Sequence, residues 1–194
     1  MIRSLSGCKE RDKLTCVLAT LDAAPTYGYR YGLTTPKDKE LMAKKPIESW
    51  MFALVVVRKG NRFLLVHERK HGQRWYLPAG RVEFGETFPE AAKREVLEEA
   101  GVPISLDGIL RIEHSPRLDG SARMRMIFLA SPIDDTPPKS EPDDESLEAR
   151  WVTIEELDTL GYSLRSPEVI RLFEQVQRGV TVMPMSMLTQ EGGL

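Results

Sequence analysis

Three glutamates, Glu95, Glu98 and Glu99, crowd into the run Arg94-Glu-Val-Leu-Glu-Glu-Ala100. On an α-helix, at about 100° per residue, all three share one face within an arc of about 100°. Carboxylates that close repel one another, so the cluster makes chemical sense chiefly if a cation neutralises it. Hard divalent cations prefer oxygen ligands, and magnesium is usually held by a few carboxylates while water and substrate phosphates complete its shell. Such a cation offsets charge on phosphate oxygens and activates a water for attack on phosphorus. The residues therefore point to metal-assisted hydrolysis of a phosphoanhydride, with magnesium or manganese as the expected ion.

These side chains need a rigid support. The segment 87–100 is rich in alanine, glutamate, lysine, arginine and leucine and ends at Gly101, which predicts a helix with a glycine stop. Ala92, Val96 and Ala100 form the adjacent face and anchor it to a core. Arg94 stands four residues before Glu98 and is expected to pair with it. In the preceding loop, Gly80 and Gly85 permit backbone conformations that other residues resist. The Gly80 carbonyl is an expected ligand, and Glu86 is expected to reach back to the site.

Around this helix the chain reads as strands. Trp50–Val57 and Phe63–Val66 flank Lys59-Gly60-Asn61 and predict a hairpin. Residues 68–74 form a charged loop before the short strand Trp75-Tyr76-Leu77. Ile104–His114 and Arg123–Ala130 predict an antiparallel pair. A long, acidic, proline-rich loop at 131–145, expected to be flexible, leads to a last strand at 147–152. A helical turn at 154–160 and an amphipathic helix from Pro167 to Arg178 follow, the latter with Val169, Ile170, Leu172, Phe173 and Val176 as a core stripe. Strands before and after a central helix, with a second helix near the end, predict an α/β (α+β) fold: a mixed sheet between helix layers.

The 194 residues suit one domain with appended ends. The expected division is an N-terminal appendage at 1–45, a main domain at 46–180 and a C-terminal tail at 181–194. In the appendage, Tyr27, Tyr29 and Tyr31 alternate as in an extended segment, and Thr35-Pro36 reads as the start of a short helix ending before Pro46. An apolar fraction of 41% and a charged fraction of 29% exclude a disordered chain. A net charge of −2 gives no diffuse attraction to polyanions, so nucleic acid is disfavoured as a bulk partner. Cys8 and Cys16 lack the spacing of a zinc or redox pair, and the apolar run at 14–21 is short and contains threonines. A cytoplasmic protein without a membrane partner is the expectation.

The stretch from Gly80 to Val102 matches the pattern G-x5-E-x7-R-E-U-x-E-E-x-G-U, with U a bulky aliphatic, at every specified position. Seven fixed residues plus two aliphatic ones would meet by chance in such a chain with a probability on the order of 10⁻⁷. This segment resembles the signature of the Nudix hydrolases. Trp75–Gly80 is similar to the strand that leads into the signature, and Arg150-Trp151-Val152 with Glu155-Glu156-Leu157 is similar to a late strand and turn, so the resemblance covers roughly 47–178. It implies an α/β/α sandwich that hydrolyses a nucleoside diphosphate linked to another group. It also implies metal at Glu95, Glu98 and Glu99, oriented by Arg94, and a homodimer as the default assembly. Relatives differ in the catalytic base, so Glu98, Glu95 and the extra carboxylate Glu145 all stand as candidates.

Substrate choice lies outside the signature. Arg69, Lys70, His71 and Arg74 are candidate phosphate contacts, and His114, Arg123 and Arg125 are candidates to line the cleft. The pattern is similar to members acting on nucleoside di- or triphosphates, including oxidised guanine nucleotides, with nucleotide sugars or ADP-ribose as alternatives. A non-catalytic nucleotide sensor would be expected to lose signature carboxylates, and all are present. Isopentenyl-diphosphate isomerase chemistry requires a cleft cysteine, and both cysteines fall in the appendage. Net acidity weighs mildly against pyrophosphate removal from RNA ends, for which a small basic patch would suffice.

Overall fold

A computed structural model describes residues 46–159 and 163–191. The proposed appendage, with its tyrosines, its short helix and both cysteines, lies outside the described residues.

Seven strands form a mixed sheet. β1 (Ser49–Lys59) is its long central member, parallel to β6 (Ala122–Pro132) on one side and antiparallel to β4 (Ala79–Arg81) on the other. β6 continues antiparallel to β5 (Ile104–Pro116). The expected hairpin forms only at its tip, where Gly60-Asn61 turns the chain and Arg58 and Lys59 pair with Phe63 and Arg62. From there β2 (Arg62–Glu68) leaves β1 to pair with β3 (Trp75–Tyr76) and β7 (Ser146–Val152). The divergence gives β1 two other partners and leaves the middle of the sheet free to curl around a cleft.

β1 carries alternating side chains into two cores, which is why its sequence is almost continuously apolar. Ala53, Val55 and Val57 pack with Ala91, Ala92, Val96 and Ala100 of helix α1 (Phe88–Ala100). Leu54 and Val56 pack on the opposite face with Val169, Leu172, Phe173 and Val176 of α3 (Glu168–Gln177). There the Phe63 and Phe173 rings stack at 4.2 Å. A short helix α2 (Ile154–Thr159) precedes α3. The result is the three-layer α/β/α sandwich expected from the sequence. No helix among the described residues is long and apolar enough to cross a membrane.

α1 is fixed at both ends. Thr87 and Glu90 form a reciprocal capping box: Glu90 N–H donates to Thr87 Oγ1, and Thr87 N–H donates to Glu90 Oε2 at 2.8 Å. At the other end Gly101 takes φ of 70° and donates to the Leu97 carbonyl. Thr87→Ala is expected to lower the unfolding free energy by about 1 kcal/mol, measurable as a denaturant midpoint shift at unchanged slope.

The loop after β6 is more ordered than its prolines and acids predict. Lys139 N–H donates to the Ala100 carbonyl at 2.9 Å, and its ammonium bonds the Glu98 carbonyl and Asp143 at 2.5 Å each. Asp143 in turn accepts from the N–H groups of Glu145 and Ser146. The backbone groups exposed at the end of α1 supply partners that composition alone does not reveal. At the C-terminal side, Met183 pairs with Ile109, and a 3-10 turn (Met185–Met187) packs by β5.

Candidate active site

Arg94 organises the carboxylates. Its Nε and one terminal nitrogen grip both oxygens of Glu86 at 2.6 and 2.9 Å, the bidentate geometry that suits guanidinium and carboxylate. The other terminal nitrogen donates to Glu95 at 2.8 Å and Glu98 at 3.0 Å, and a further bond reaches the Arg81 carbonyl. The expected pairing with Glu98 is therefore present within a wider network. Glu86, which also accepts from Glu83 N–H, is held down at about 2 by Arg94 first and that backbone bond second. Arg94 is shifted the other way, Glu86 again being the main cause.

The three signature glutamates have different surroundings. Glu98 is the most accessible, with its side chain 45% exposed. Glu95 is buried, at 9% exposure, and burial pushes its carboxyl up against the opposing influence of Arg94. Glu99 accepts the Ala79 N–H at 3.0 Å, yet burial pushes it up to about 8, with Glu95, Glu68 and Glu145 adding repulsion. Gly80 is required for a reason different from backbone freedom: its φ is not positive. A Cβ placed there would stand 1.9 Å from Glu95 Oε1 and within 2.3 Å of the rest of that carboxylate.

Beside these groups lies a cleft of about 600 Å³, within the range that holds small ligands. Phe52 and Leu54 of β1, together with Tyr76, give it apolar surface. Ala79, Gly80, Arg81 and Glu99 line the β4 side, Glu68–His71 and Glu145 the loop side, and Arg117, Arg123 and Arg165 contribute further cations. Of the expected substrate contacts, Arg69 lines the cleft while its guanidinium donates to the Asp143 carbonyl at 2.7 Å. Arg74 is exposed and is not among the lining residues. His114 pairs with Met124, which places it on the α1 face of the sheet, whereas Arg123 and Arg125 share the opposite face with Ile127. Arg125 is enclosed by Glu113 and by both oxygens of Glu168, at 2.9 and 2.7 Å.

Glu68, Arg117 and Arg165 were not singled out from the sequence. Glu68 closes β2 rather than opening the charged loop, and it is only 9% exposed. Its Oε1 accepts from Arg165 at 2.5 Å and lies 3.2 Å from His71 Nδ1, while Oε2 is buried without a partner. The one other such side-chain atom among the described residues is Arg123 Nε, in the same cleft. Arg165 arrives there because Ser163–Arg165 runs along β3, exchanging backbone bonds with Trp75 at 2.9 Å. Arg117 stands at the β5–β6 turn, closed by Gly120 with φ of 84°.

Sheet, helix layers and a carboxylate helix beside a cleft define an α/β/α domain with an acidic site at one edge of its sheet. The NUDIX domain model matches residues 50–173, and the chain belongs to the Nudix family. It is 39% identical over 123 residues to the human protein named 8-oxo-dGDP phosphatase NUDT18, covering 62% of this chain and 36% of that one. It is 34% identical over 128 residues to phosphatase NudJ of Escherichia coli, covering 63% and 82% respectively. A Nudix hydrolase structure from Nitrosomonas europaea superposes with a TM-score of 0.61 at 26% identity, covering 74% of this chain and 97% of that one. The chain thus spans about a third of the length of the human relative and most of the bacterial ones.

Proposed function

We propose that this protein hydrolyses a phosphoanhydride bond in nucleoside diphosphate derivatives, with a divalent cation, magnesium or manganese, held against the last turns of α1. The observation that carries the reading is the gathering of Glu95, Glu68 and Glu145 around Glu99, beside a cleft whose arginines Arg117, Arg123 and Arg165 suit phosphate. Buried like charges are costly without a counter-charge, and Glu68 Oε2 has no protein partner, so the donor set fits a hard cation. Among the described residues no group of three His, Cys, Asp or Glu side chains is already arranged to hold a metal ion.

In this reading Glu95, Glu98, Glu99 and the Gly80 carbonyl hold the ion. When bound, it offsets the charge developing on the phosphate oxygens. Glu98, the most accessible of the three, takes the proton of the attacking water, with Glu95 and Glu145 as the neighbouring candidates. Arg94 sets the carboxylate positions and is itself fixed by Glu86. Phe52 and Tyr76 offer apolar surface to the nucleoside. Oxidised guanine nucleoside di- and triphosphates are the first substrates to test, supported by the similarity to the human phosphatase, with nucleotide sugars and ADP-ribose next. The protein is expected to act in the cytoplasm on small molecules.

The test is product release from nucleoside diphosphates, triphosphates, nucleotide sugars and dinucleotides, with magnesium, with manganese and with EDTA. Metal-dependent turnover of one class, reduced about 10²-fold in Glu98→Gln, is the expected result. A folded wild type that binds these compounds tightly and turns over none of them is instead a sensor.

A further inference from the structure

Two arginines two residues apart on β6 have opposite circumstances. Arg125 is neutralised by Glu113 and Glu168. Arg123 makes no ion pair with any described residue; its guanidinium lies 4.5 Å from the centre of the Phe52 ring, and its buried Nε lacks an acceptor. Arg117 and Arg165 line the same cleft, and with Arg125 they surround Arg123 with like charge. Burial and these neighbours push Arg123 below the ordinary arginine value, the reverse of what a carboxylate partner does. A buried donor without an acceptor is rare in a folded protein and calls for a partner that arrives from outside.

We propose that Arg123, flanked by Arg117 and Arg165, is a phosphate subsite that takes the part of the substrate's phosphate chain not held at the carboxylates. This rests on the hydrolase reading for the identity of the substrate, but not for the existence of the subsite. β1 lies between β4 and β6, pairing Phe52 with both Arg81 and Arg125 and Ala53 with Gly80. The carboxylate side and the arginine side meet in one cleft, which Gly80 and Glu99 line together with Arg117, Arg123 and Arg165. The guanidinium presents forked donors to phosphate oxygens, and its stacking on Phe52 fixes the plane of the fork. Arg165 is paired with Glu68, so the charge left over is that of Arg123 and Arg117, which form no ion pair with a described residue, and it favours an anion as occupant.

The experiment is calorimetric titration of inorganic pyrophosphate into the full chain in EDTA, where no cation bridges the anion to the carboxylates. Wild type is expected to bind, and Arg123→Gln to bind at least tenfold more weakly. Arg111→Gln removes the same charge from a residue outside the cleft, bonded to Glu113 and Gln175, and is expected to retain wild-type affinity. Arg117→Gln alters an exposed turn and keeps the question answerable should Arg123→Gln fail to fold; it is expected to weaken binding about threefold. Wild-type affinity in Arg123→Gln, or in Arg117→Gln if the first variant does not fold, overturns the subsite, as does equal weakening by Arg111→Gln. With substrate and metal, Arg123→Gln is expected to raise KM while leaving kcat within about twofold. Loss of pyrophosphate binding in a protein that turns over nothing would retain the subsite and reject the hydrolase; turnover with unchanged pyrophosphate binding would do the reverse.

Discussion

Gly80→Ala is expected to reduce metal-dependent turnover by about 10³-fold while leaving the protein folded. The added methyl would fall 1.9 Å from Glu95 Oε1, far inside any real contact, so the carboxylate or β4 must move. Movement of a reacting group by about 1 Å can cost about 10²-fold. Here the displaced carboxylate also shares Arg94 with Glu98, so its neighbour shifts with it. The β4 ladder to Phe52 and Leu54 gives the backbone little freedom to yield. The measurement is kcat at saturating magnesium alongside a thermal melt. Near wild-type kcat in the variant would show that Glu95 is not needed where the structure places it.

The second large effect has opposite signs for stability and activity. Glu99→Gln is expected to melt several degrees higher than wild type in EDTA, yet to lose the stabilisation that magnesium gives the wild type and about 10²-fold or more of its turnover. Glu99 is buried beside three other carboxylates, so an uncharged amide removes repulsion and a desolvation penalty in the metal-free protein. The Gln carbonyl still accepts the Ala79 N–H, so the contact at 3.0 Å is kept. A ligand that binds only the folded state stabilises it in proportion to the logarithm of its concentration over Kd. Melting curves across a magnesium titration separate the two effects. A variant less stable than wild type in EDTA would show that the ionised carboxylate is held by favourable contacts rather than tolerated for function.

Both predictions involve residues legible in the sequence, because the signature concentrates its chemistry in one helix and the loop before it. Capping at Thr87, the stop at Gly101 and the period of Ala92, Val96 and Ala100 act within a few residues, so local rules suffice to place α1. β4 is not legible as a strand from its own pattern, since three residues carry too little of it; what makes Ala79–Arg81 extended is pairing with β1, 25 to 29 positions earlier at Leu54, Ala53 and Phe52. The sequence offers Arg123 and Arg125 alike as candidates to line the cleft, whereas of the two only Arg123 is among its lining residues. The difference depends on Glu113 and Glu168, and the latter is 43 residues away along the chain. Glu68 reads as part of a charged loop because its neighbours Arg69 and Lys70 are polar; its burial follows from β2 continuing two residues beyond Val66. His114 is a cleft candidate from sequence alongside Arg123 and Arg125, but its pairing with Met124 puts it on the other face of the sheet.

The direction of α1 has a consequence of its own. Its peptide dipoles add along the axis to roughly half an elementary negative charge at the C-terminal end. Glu98 and Glu99 stand in that last turn, where helices favour basic residues and this one has none. Backbone and side chains thus create negative potential at the same place, and Lys139 offsets it only from the side of the terminal carbonyls. Attraction for a cation is therefore built partly into the peptide framework, where no side-chain substitution can remove it, and a protein that loses one carboxylate still keeps part of the field that draws the ion in.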